Sequence, residues 1–112
     1  MTTAPEWDTA LDEFRERGAR WAALRPYCSA MLLVLERLRA DPRVGTVALQ
    51  VSHATLVIAV GDREHRVGLC WDGRSHYRVF FVDPGFEFVE SRAVTEDDVV
   101  ETVVHYLERV RA

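Results

Sequence analysis

HRVGLCWDGRSHYRV, residues 65–79, holds two histidines, a cysteine, an aspartate and a tryptophan in one short stretch. It reads either as a reactive cluster or as two strands joined at a turn. Apolar alternation favours the strands: Val67, Leu69 and Trp71 share one face before Asp72-Gly73, and Tyr77, Val79 and Phe81 share one face after it. A two-residue turn would oppose Leu69 to His76 and Val67 to Arg78. A three-residue loop with a bulge pairs Leu69 with Tyr77 and Val67 with Val79, which keeps both apolar sets together. In that register Cys70 and His76 are cross-strand neighbours, with Cβ atoms about 5 Å apart.

The same alternation extends to both sides. TVALQVS (46–52) and ATLVIAV (54–60) precede the hairpin, and FEFVESRAV (86–94) follows it. Gly61-Asp62 and Asp83-Pro84-Gly85 are turn signals between them. Two-residue loops at Ser52-His53 and Gly61-Asp62 pair Leu49 with Leu56 and Leu56 with Val67. The pattern predicts an antiparallel meander of four or five strands. Gly68, inside a strand, marks a close approach or a bulge.

Helical periodicity frames the meander. Trp7, Leu11, Phe14, Gly18 and Trp21 recur at steps of four and three. Arg25, preceding Pro26, is biased away from the helical region, so the first helix ends or kinks there. A second helix runs from Pro26 to about Ala40, with Cys28, Met31, Leu32, Leu35 and Leu38 on one face, and Asp41-Pro42 stops it. A third runs from Glu96 to about Val110. Thr95 is its predicted N-cap with Asp98 three residues on, Val94 and Val99 form a staple, and Val100, Val103, Val104, Leu107 and Val110 form its stripe. The expected fold is α+β: two N-terminal helices, the meander, a C-terminal helix, and all helices on one face of the sheet. Residues 1–112 form one expected domain, with 1–5 a loose tail.

The chain has 112 residues, 48% of them hydrophobic, and a formal net charge of −4. This acidity argues against nucleic acid and anionic lipid as partners. All 14 basic residues are arginine. The longest apolar run, AMLLVL, is far too short to span a bilayer, and the N-terminus lacks the pattern of a secretion signal. Two widely separated cysteines fit free thiols in a reducing compartment, so the expected location is cytoplasmic.

Each candidate chemistry has a plainer counterpart. Cys70 and His76, with Asp72 to orient the imidazole, have the form of an activated thiol, but no oxyanion hole or cleft accompanies them. His65 has the parity opposite to Cys70 and His76, so the three do not converge on a metal. Glu96, Asp97 and Asp98 are ordinary acids for a helix N-terminus. No cofactor motif appears. The outer sheet face is expected to carry Thr46, Ala48, Gln50, Val57, Ala59, Arg66, Cys70, Arg78, Phe80, Val82 and Val89, more apolar than a solvated face. With the hairpin tip, this nominates Arg66, Trp71, Arg74, Tyr77, Arg78 and Phe80 as partner-binding residues. A protein partner or a second copy of the chain would cover them.

The layout, helices then a short meander then the acidic-start helix VTEDDVVETVVHYLERVR (94–111), resembles small bacterial immunity, antitoxin and effector-chaperone proteins. It is a resemblance of layout, and no binding residue is carried over from it. It implies a non-catalytic protein that binds a cognate toxin or effector. The alternatives are a small thiol enzyme built on Cys70 and His76, and a small-molecule pocket between helices and sheet lined by Trp7, Phe14, Trp21 and Phe88.

Overall fold

The computed structural model describes residues 3–52, 55–60, 65–82 and 88–111. The fold is α+β. Helices α1 (Glu6–Arg20), α2 (Arg25–Ala40) and the short α3 (Pro42–Gly45) precede strands β1 (Leu49–Ser52), β2 (Thr55–Val60), β3 (His65–Trp71), β4 (Tyr77–Val82) and β5 (Phe88–Val94), and α4 (Val99–Arg111) closes the chain. The strands form one antiparallel sheet in the order β1-β2-β3-β4-β5. The turn signals at 61–62 and 83–85 lie outside the described residues.

One apolar core joins the two layers. Trp7, Leu11 and Phe14 of α1, Met31, Leu35 and Leu38 of α2, and Val99, Val103, Tyr106 and Leu107 of α4 are buried with Val67, Leu69, Tyr77, Val79 and Phe81 of β3 and β4. The strand residues are those of one parity, so the helices cover one face of the sheet. Trp7 also donates its indole N–H to Val47 O at 3.0 Å. Phe81 stacks on Tyr106 with centroids 5.9 Å apart and planes 6° apart, which seats α4 beneath β4. The Tyr106 hydroxyl is buried without a hydrogen-bond partner among the described residues.

Several expectations are corrected. Three helices are expected; the described residues form four, with 3₁₀ turns at Ala22–Leu24 and Glu96–Asp98. The break between α1 and α2 falls at Trp21, whose backbone is extended, and not at Arg25, which is helical despite the following proline. Trp21 thereby leaves the stripe and is 56% exposed. In α2 the core takes Val34, while Leu32 is only partly buried. Asp41 does end α2, but its carboxylate then accepts the Arg43 amide at 2.9 Å and caps α3, delaying β1 to Leu49. Thr95 caps no amide: its hydroxyl donates to Asp98 Oδ2 at 3.5 Å, and the first turn is 3₁₀. The side chain of Val110 is not described.

The registers keep the expected parity but slide by two residues. Leu49 pairs with Ile58, Leu56 with Leu69, and Leu69 with Val79. The β3–β4 tip is Gly73–Ser75, closed by the Asp72 N–H donating to His76 O at 2.9 Å. The irregularity in the ladder lies instead between β4 and β5, where Phe81 pairs with Glu90 and Val82 with Phe88.

Candidate functional site

The slide dissolves the expected thiol pair. Cys70 faces Arg78 across the ladder, and Trp71 faces Tyr77. His76 stands outside the ladder with its Nδ1 2.8 Å from Ser75 Oγ. Asp72, nominated to orient an imidazole, holds the loop instead: its Oδ1 accepts the amides of Arg74, Ser75 and His76 at 2.7, 3.0 and 3.2 Å. Those donors, Arg74 foremost, keep its carboxyl below the usual range against the opposing effect of desolvation. Burial pushes the half-buried Cys70 thiol up; the Arg78 guanidinium draws it back down, and Asp72 adds to the rise. Cys70 is therefore expected to titrate above the roughly 8.5 of a free thiol and to alkylate slowly in the folded chain. Alkylation rate against pH, with peptide mapping to separate Cys70 from Cys28, checks this; a Cys70 reactive near neutral pH contradicts it.

The tip of the hairpin forms one wall of a cleft of about 400 Å³. Ala30 and Leu33 of α2, Trp71, Arg74, Ser75 and Tyr77 of the hairpin, and Thr95, Glu96 and Asp97 before α4 line it. Leu33 is 45% exposed. Trp71 packs against Tyr27 with ring centroids 6.3 Å apart. Burial first, then Cys70, pushes the Tyr27 hydroxyl up to about 12, against the hydrogen bond it shares with the Trp71 backbone. Tyr77 is 4% exposed and donates its hydroxyl to Ala30 O at 2.7 Å, fastening β4 to α2. On the acidic wall, Arg37 pairs with both acids: its Nη1 lies 3.3 Å from Asp97 Oδ1 and its Nη2 lies 3.9 Å from Glu96 Oε2.

The six nominated residues thus separate. Trp71 and Arg74 line the cleft, and Tyr77 forms part of its floor as a core residue and not as an outward anchor. Arg78 and Phe80 lie on the outer sheet face, where Arg78 donates to Ser91 Oγ at 3.0 Å. Phe80 sits opposite Gly68, and a Cβ on that glycine would fall 1.9 Å from the Phe80 ring, so the close approach expected there is an aromatic ring laid over the strand. The side chain of Arg66 is not described. Of the four residues expected to line a pocket between helices and sheet, Trp7 and Phe14 are fully buried, Trp21 is exposed, and the Phe88 side chain is not described.

Sequence reasoning missed Leu33, Glu96 and Asp97 as site residues. Leu33 carried a signal, since it lies off the buried stripe of α2 and still is leucine. The acids carried none beyond their place at a helix start. No family model, curated protein or solved structure matches the chain. No helix among the described residues is long and apolar enough to cross a membrane.

Proposed function

We infer that the chain is a non-enzymatic protein-binding module of the kind that neutralises or chaperones a cognate toxin or effector, and that the partner seats in the cleft beside the hairpin tip. The observation that carries this reading is the composition of the cleft. Exposed Leu33 and half-buried Trp71 sit within a rim that offers Arg74 on one side and Glu96 and Asp97 on the other. An apolar centre with aromatic and arginine anchors inside a rim of both charge signs matches protein surfaces better than phosphates or anionic lipid. Phe80 and Arg78 extend the surface onto the outer sheet face.

Leu33→Asp and Arg74→Glu are expected to melt like the wild type and to weaken binding of a partner captured from the native host by at least about tenfold each. Trp21→Ala, which removes an exposed tryptophan away from the cleft, leaves binding unchanged. Calorimetric titration of the captured protein reads the effect. Equal affinity in all three variants would displace the site, and a wild-type chain that retains no protein would remove the function.

A further inference from the structure

We propose that the outer edge of β5 is a self-complementary docking strand whose occupant is the β5 of a second copy of the chain. The Asp72 N–H donates to His76 O just beyond the last ladder pair, Trp71↔Tyr77, which sets that pair between hydrogen-bonded ones. Such pairs alternate along an antiparallel ladder. Cys70↔Arg78 and Gly68↔Phe80 are then hydrogen-bonded, while Tyr77, Val79 and Phe81 turn their N–H and C=O groups toward β5. Their partners Val94, Arg92 and Glu90 return those bonds. The main-chain groups of Ser91 and Ala93 are left pointing away from the sheet, and β5 is its last strand, so no described strand receives them.

The side chains of that edge select one mate. Pairing two copies antiparallel about Ser91 sets Glu90 of each against Arg92 of the other, twice, by symmetry. These fall at non-hydrogen-bonded positions, where cross-strand side chains approach most closely. Sliding by two residues either way centres the pair on Glu90 or on Arg92 and sets like charges together. Within one copy, Arg92 Nη2 lies 3.3 Å from Glu90 Oε1, and Arg109 binds the other Glu90 oxygen. Rotation of Arg92 away from Glu90 and from the Tyr106 ring, over which its guanidinium lies at 5.7 Å, passes it to the second copy while Arg109 keeps its hold. Both groups are accessible for this, at 48% and 34% side-chain exposure. The pairing is two-fold and uses the same edge of both copies, so the contact closes as a pair.

Sedimentation equilibrium tests it with the full chain. The wild type is expected to show a concentration-dependent monomer–dimer equilibrium. Glu90→Arg and Arg92→Glu each weaken it by roughly tenfold or more, because each sets like charges opposite one another. An equimolar mixture of the two variants restores the dimer, since each then meets its complement. Ser91→Pro removes the outward amide, and with it the exposed Arg78–Ser91 side-chain bond that Ser91→Ala removes alone; it is expected to melt as Ser91→Ala does and, unlike Ser91→Ala, to lose the dimer. A wild type that stays monomeric at its highest soluble concentration overturns the proposal. So does a dimer that persists in Glu90→Arg, Arg92→Glu and Ser91→Pro alike, or a mixture that fails to restore it. None of these outcomes touches the cleft, so this proposal and the binding function fail separately.

Discussion

Replacing Trp7 by alanine is expected to lower the unfolding free energy by about 3–5 kcal/mol, against a total for such a domain of about 5–15 kcal/mol. Trp7 is the largest fully buried side chain, and its indole N–H is spent on Val47 O at 3.0 Å. Alanine therefore leaves a cavity and an unpaired carbonyl together. Trp7→Phe keeps most of the volume and loses only the hydrogen bond, so its cost is smaller, about 1–2 kcal/mol. Trp21→Ala removes the same side chain from a site 56% exposed and is expected to cost less than about 0.5 kcal/mol. Denaturant melts of the three variants read all of this. A Trp7→Ala loss below about 1 kcal/mol would mean that α1 does not pack where the structure places it.

Gly45→Ala is the second large effect. The methyl it adds would lie 2.2 Å from the Arg39 carbonyl oxygen, a backbone atom that no side-chain rotation can move aside. Gly45 is also tied on both sides: its N–H donates to Asp41 O at 2.7 Å, and its carbonyl accepts the Ala4 amide at 2.9 Å. Relief of the clash has to separate α3 from the end of α2, which strains the N-terminal segment as well. The expected cost is about 3 kcal/mol, at the upper end for overpacking, or roughly 12 °C in melting temperature. Thermal melting by circular dichroism checks it; a change within about 2 °C would contradict the tight α2–α3 corner.

Parity was legible in the sequence, and register was not, for one physical reason. Sliding a strand by two residues returns every side chain to the same face. Leu69 opposite Tyr77 and Leu69 opposite Val79 bury the same residues, so alternation cannot choose between them. The choice was made by Asp72, whose carboxylate accepts three amides and moves the tip to Gly73–Ser75. The consequence for chemistry was large, because the apparent Cys70–His76 pair existed in only one of the two registers. Helix ends were similarly opaque. Trp21 continues the α1 stripe by spacing, but the chain turns extended at that residue. Asp41-Pro42, a sound stop signal for α2, served equally as a start signal for α3. The cleft was half visible: Trp71, Arg74 and Tyr77 were among the residues nominated for partner binding, whereas Ala30 and the Glu96–Asp97 wall reach them only through tertiary packing.

The claim that a protein partner occupies the cleft is tested most directly by site-specific photo-crosslinking in the native host. A photoreactive side chain in place of Leu33 or Arg74 is expected to give an adduct with one and the same protein, and one in place of Trp21 is expected to give none. No adduct from either cleft position, or the same adduct from all three positions, would contradict the account.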